Sequence, residues 1–124
     1  MRALLDTSVV VAGTSITVDS AAVSVITIAE LGYGIGHQPD PFERSRRSLR
    51  LSRIQELYEP LPVDVIVADA WAQLAAYTAA CGRQPRRRAF DLLIAATAQA
   101  HGLTLLTRDE DLLRLSDVLD VRAV

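Results

Sequence analysis

Residues 88–109, RAFDLLIAATAQAHGLTLLTRD, decide the fold. The run from about residue 88 to 100 predicts a helix, and His101-Gly102 stops it, because glycine readily takes the left-handed conformation that closes a helix. Leu103-Thr104-Leu105-Leu106 then predicts a short buried strand. A turn this tight forces helix and strand to run antiparallel. The start of the helix, with Asp91, therefore returns to the edge where the strand exits toward Asp109.

Outward from this unit the alternation repeats. Ala3-Leu4-Leu5 predicts a buried first strand ending at Asp6, and Asp6-Thr7-Ser8 offers caps to a short helix over residues 8–12. After a polar loop (13–20), residues 22–25 predict a second strand, and Thr27 begins a helix that Gly34 and Gly36 end. Pro41 suits the first turn of a helix over 42–58, whose apolar side is Leu51, Ile54 and Leu57 or Tyr58, while Arg46, Arg50 and Arg53 share another face. Residues 61–63 predict a third strand, and Asp64 caps a long helix carrying Trp71, Leu74 and Ala75. A basic loop (82–88) leads into the quoted segment; a short helix (109–115) and a last strand (119–124) follow it. Strands alternating with helices predict a parallel sheet covered on both faces.

Composition bounds the function. The 124 residues are read as one domain, 1–124, with half its residues apolar and a net charge of −2, which excludes a generic polyanion-binding protein. All thirteen basic residues are arginine. The single cysteine, Cys81, forms no internal disulfide. No stretch is long and apolar enough for a membrane span, and Asp6 interrupts any signal-peptide core after Arg2. A cytoplasmic protein is expected.

Asp6, Glu30 (in the first turn of its helix), Asp91 and Asp109 all fall at the carboxyl edge of the sheet, where open parallel folds place their sites. Converging carboxylates repel, and burial drives some to protonate unless a cation intervenes. A hard divalent ion, bound through oxygen, fits this set. Zinc does not, since His37, His101 and Cys81 lack ligand spacing. Each acid also has a plain structural reading: Thr27–Glu30 and Thr107–Glu110 have the form of capping boxes, Asp6 can cap a helix, and Asp91 can favour a helix dipole. Capping alone does not require all four at one edge.

Four segments, Leu4-Leu5-Asp6-Thr7-Ser8, Thr27-Ile28-Ala29-Glu30-Leu31, Asp91 to Ala98 and His101 to Asp109, resemble in order the motifs of PIN domains, and more narrowly of VapC-type toxins of bacterial toxin–antitoxin modules. The resemblance implies a three-layer α/β/α fold with a central, mainly parallel sheet of 4–5 strands. It implies RNA cleavage dependent on one or two Mg²⁺ or Mn²⁺ ions, with Asp6, Glu30, Asp91 and Asp109 as the acidic quartet. Ser8 and Thr107 match hydroxyl positions lining such sites, and Asp111 is a fifth acidic candidate. The implied partners are an RNA substrate (transfer or ribosomal), a small cognate antitoxin and a second copy of the chain. Only 23 residues separate Asp6 from Glu30, so a helix usual in the pattern is missing or reduced.

Arg86, Arg87 and Arg88, just before Asp91, are the first candidates for the RNA backbone, and the Arg46, Arg50, Arg53 stripe the second. Tyr33 and Phe90 are candidate base platforms, with Phe90 and Trp71 expected rather in the core. Receiver domains and haloacid-dehalogenase-type phosphatases also put Asp after strand one, but they lean on a lysine and this chain has none. Gly32, Gly34 and Gly36 lack the spacing of a dinucleotide loop. The alternative to a nuclease is a catalytically inactive PIN domain that only binds RNA or a partner.

Overall fold

The computed structural model describes residues 1–124. Five strands, β1 (Arg2–Leu5), β2 (Ser20–Ser24), β3 (Pro60–Leu61), β4 (Thr104–Thr107) and β5 (Val121–Ala123), form one sheet in the order β3-β2-β1-β4-β5. Every pairing is parallel, so the sheet is wholly and not just mainly parallel. The helices are α1 (Thr7–Ala12), α2 (Val25–Gly36), α3 (Pro41–Leu57), α4 (Val65–Ala80), α5 (Ala89–Ala100) and α6 (Glu110–Leu113), with a 3-10 turn at Pro85–Arg88.

The two-residue period of the central strands builds two cores. Leu4 and Leu105, neighbours in register, point to one face and pack with Leu74 of α4 and Ile94 of α5. Ala3, Leu5 and Leu106 point to the other and meet Val9, Leu31 and Ile54 from α1, α2 and α3. Each such leucine, removed from water, contributes roughly 1.5–3 kcal/mol. The chain runs from β1 outward to β2 and β3, then returns to place β4 on the other side of β1. The crevice between the carboxyl ends of β1 and β4 is therefore the switch point at which open sheets bind ligands.

Several boundaries differ from the sequence expectation. Val25 belongs to α2 and not to the second strand, because the Ser24 side chain accepts from the Ile26 amide at 3.0 Å and starts the helix there. Thr27 is thus inside the helix and caps nothing, and Glu30 lies in the second turn rather than the first. β3 is confined to Pro60–Leu61, since Pro62 has no amide to donate to a ladder. Of the two apolar alternatives at the end of α3, Tyr58 packs against the core while Leu57 is 74% exposed. α6 is only four residues long, capped by Asp109, whose side chain accepts from the Asp111 amide at 2.9 Å; Thr107–Glu110 is not a capping box. Between Asp6 and β2 there is one helix, α1, followed by coil, as the short spacing implied.

The α5–β4 turn is built as expected. Gly102 takes φ +64°, and the Leu103 amide donates to the Ala98 carbonyl at 2.9 Å. The start of α5 is pinned by Trp71 of α4, whose indole N–H donates to the Ala89 carbonyl at 3.3 Å.

Candidate active site

Asp6 is the first residue past β1, and its amide still donates to the Leu106 carbonyl at 2.9 Å, so the backbone is held by the sheet. It is 3% exposed. The side chain caps no helix amide. Its Oδ2 instead accepts from Ser8 Oγ at 2.7 Å and from Thr107 Oγ1 at 2.8 Å, and no protein group donates to Oδ1. Ser8 in turn accepts from the Arg108 amide at 3.1 Å, and Thr107 Oγ1 from the Asp109 amide at 2.9 Å. The hydroxyls expected to line the site thus tie the end of β1 to the end of β4.

Glu30 reaches the same edge from α2. Its Oε1 accepts from Thr7 Oγ1 at 2.7 Å, and Thr7 lies 3.0 Å from the hydroxyl of the fully buried Thr27. With its proton on Glu30, Thr7 accepts from Thr27. Neither threonine was singled out in the sequence as part of the site. The available signal was a threonine directly after Asp6 and another one helical turn before Glu30.

Arg88 occupies the centre of the remaining acids. Its Nη2 donates to Asp91 Oδ2 at 2.8 Å and to Asp109 Oδ2 at 2.6 Å, and its Nη1 pairs with Asp111 Oδ2. Asp111 Oδ1 accepts from Arg83 at 2.7 Å. Partial burial alone would lower the Arg88 pKa; the charges of Asp109, Asp91 and Asp111 outweigh it and hold the guanidinium above its ordinary value. Arg88 therefore spends its guanidinium on three carboxylates in this arrangement. Arg86 and Arg87 remain exposed on the 3-10 turn, without a carboxylate partner.

Asp91 registers the convergence. Burial pushes its carboxyl up to about 6, Arg88 opposes that, and the nearby charges of Asp6, Asp109 and Glu30 reinforce it. Asp91 thus feels three acids from three other segments of the chain. They do not close into an ion-sized cage, however: no three acidic, histidine or cysteine side chains stand close enough to hold a metal. Like charges spread apart in a partly buried site, and a guanidinium already bridges two of the four. The donor set itself is all oxygen. Asp6, Glu30 and Asp91 each commit one carboxylate oxygen to a protein donor and leave the other without one, which suits a hard divalent cation.

A cleft of about 350 Å³ opens here, lined by Glu30, Asp91, the three arginines 86–88 and Phe90. Phe90 is 54% exposed and is not a core residue, because it lies on the outer side of the first turn of α5. Trp71 packs against the core as expected. Tyr33 is exposed and stacks on His37 at 3.9 Å. A larger cavity, about 480 Å³, lies elsewhere, between α1 and α3, with Arg46, Arg50 and Arg53 on its wall.

The sequence profile of the PIN domain matches residues 3–118. The chain belongs to the PIN-domain family. Within it, the chain is of the VapC type. It is 39% identical to Ribonuclease VapC4 of Mycobacterium tuberculosis over 125 residues, covering 94% of this chain and 93% of that protein. It is 34% identical to Ribonuclease VapC5 of the same organism over 128 residues, with 98% and 93% covered. A crystal structure of VapBC-5, a toxin–antitoxin system from M. tuberculosis, superposes with a TM-score of 0.87 at 33% identity, covering 99% of this chain and 97% of that one. The expected α/β/α PIN fold is therefore present. No helix of this PIN domain is long and apolar enough to cross a membrane.

Proposed function

We propose that this chain is an endoribonuclease, the toxin of a VapBC-type module, hydrolysing RNA phosphodiester bonds with Mg²⁺ or Mn²⁺. The observation that carries the reading is the gathering of Asp6, Glu30, Asp91 and Asp109 from four segments at one edge of the sheet, beside a cleft lined by Glu30, Asp91 and Arg86 to Arg88. Relatives at 34–39% identity bear the name ribonuclease, which supports RNA as substrate.

Asp6 and Asp91 would hold the cation directly, with Glu30 and Asp109 as direct or water-linked ligands. When bound, a divalent ion supplies a nucleophilic water near neutral pH and offsets charge on the phosphate. The chain's own groups do the rest. Ser8 and Thr107 fix the rotamer of Asp6, so its free Oδ1 has one direction. Thr7 likewise fixes Glu30, which lines the cleft and whose Oε2 can accept a proton from an attacking water. Arg86 and Arg87 attract the phosphate backbone, and Phe90 offers a face for an unpaired base.

By the same resemblance, the partner is a small antitoxin, the target a transfer or ribosomal RNA, the assembly a homodimer and the compartment the cytoplasm. One observation favours a second reading, an inactive PIN domain that only binds: Arg88 already neutralises Asp91 and Asp109. Incubating total RNA with wild type and Asp6→Asn, in Mg²⁺, Mn²⁺ or EDTA, separates them. Cleavage by wild type alone, lost in EDTA, is expected. Equal cleavage by both proteins would overturn the mechanism, and no cleavage with retained RNA binding would favour the second reading.

A further inference from the structure

Arg88 sits where a cation would. Its Nη2 is shared by Asp91 Oδ2 and Asp109 Oδ2, at 2.8 and 2.6 Å, while Nη1 pairs with Asp111. Asp91 and Asp109 are also two of the four acids that would hold a divalent ion, and each commits its Oδ2 to Arg88. A guanidinium on these two carboxylates repels a divalent ion brought to them. The contact is built rather than incidental. The Arg88 side chain is 26% exposed, its fork is engaged by three carboxylates, and Asp111 is itself steadied by Arg83.

We infer that Arg88 is an internal counter-ion that competes with the divalent cation for Asp91 and Asp109, so that loading the site displaces its guanidinium toward the cleft. This rests on the metal-dependent reading above. Of the five acidic groups at this edge, three meet a permanent positive charge, the Arg88 guanidinium. Once displaced, the guanidinium remains on the 3-10 turn with Arg86 and Arg87, adding positive charge on the side where a polyanion approaches. Cation loading and phosphate affinity are thereby linked through one side chain.

The experiment measures Mn²⁺ binding by calorimetry, without RNA, to wild type, Arg88→Gln and Arg88→Lys. Arg88→Gln is expected to bind Mn²⁺ at least about tenfold more tightly, since a competing charge has left the ion's position, and to melt at lower temperature in EDTA. Arg88→Lys keeps the charge but cannot bridge three carboxylates, so its affinity is expected between the other two. It also decides the matter if Arg88→Gln does not fold. Equal Mn²⁺ affinity in all three proteins overturns the Arg88 inference and leaves the metal reading standing. Tighter binding by Arg88→Gln with Arg88→Lys equal to wild type shows an effect of charge alone and overturns displacement. Absence of Mn²⁺ binding in every protein overturns both readings.

Discussion

Thr107 donates its hydroxyl to Asp6 Oδ2 at 2.8 Å, joining residues 101 positions apart in the chain across the β1–β4 crevice. Thr107 Oγ1 in turn accepts from the Asp109 amide at 2.9 Å, so one buried hydroxyl sets the positions of two acids. Thr107→Val keeps the shape and strands both partners. It is expected to destabilise the protein by roughly 1–3 kcal/mol in urea titrations and to slow RNA cleavage at least about tenfold, whereas Thr107→Ser should retain most of both. An unchanged cleavage rate in Thr107→Val would remove Thr107 from the site.

Asp91 makes stability fall as pH rises. Its carboxyl lies at about 6 in the folded protein against an ordinary value of 3.8. Between those values the folded state holds a proton that the unfolded chain has lost, so the folded state is favoured below pH 4 and loses that advantage as pH climbs through 6. The loss is on the order of 1–2 kcal/mol after allowance for solvent screening. Denaturation in EDTA at pH 4.5 and 7.5 should show it as a difference between wild type and Asp91→Asn, in which the term is absent. Parallel pH profiles for the two proteins would contradict it.

Arg86 and Arg87 are exposed and carry no carboxylate partner, so their removal should leave melting temperature unchanged. In an Asp6→Asn background, where RNA binds without being cut, the double substitution to alanine should weaken binding to all sequences alike. The slope of log affinity against log salt should fall by about 1–2, as expected for two phosphate contacts on single strands. A salt slope matching the parent would place the RNA track elsewhere, with the Arg46, Arg50, Arg53 face as the next candidate.

Leu105 and Leu57 test the two-core architecture. Leu105 is fully buried between β1 and β5, beside Ile94, so Leu105→Ala should cost about 2–5 kcal/mol by leaving a cavity. Leu57→Ala, at an exposed helix end, should change stability by no more than about 0.5 kcal/mol. Comparable losses in thermal denaturation would mean that α3 is packed differently.

Much of this was readable from order and spacing. The apolar run Ala3-Leu4-Leu5 ending at Asp6, and a helix closed by His101-Gly102 onto a strand, are local patterns, and with the strand and helix before Glu30 they predicted β1, α5, β4 and the shared edge for Asp6, Glu30, Asp91 and Asp109. Helix starts were less legible. Ser24 and Thr27 are both good caps by type, and the choice fell to Ser24 because pairing with β3 ends at that residue. Phe90 read as core because it is large and apolar, yet the 3-10 turn before α5 rotates it outward over the cleft.

The residue pattern alone marked out the order of strands and helices and put Asp6, Glu30, Asp91 and Asp109 at one edge, because periodicity and turn chemistry act over a few neighbouring positions. It left open which oxygen meets which donor. Thr107 on Asp6, Thr7 on Glu30 and Arg88 among Asp91, Asp109 and Asp111 are pairings across 21 to 101 positions or between successive turns. Such pairings exist only once two packed cores hold the strand ends in register, since ångström-scale distances between remote groups follow from the assembled fold.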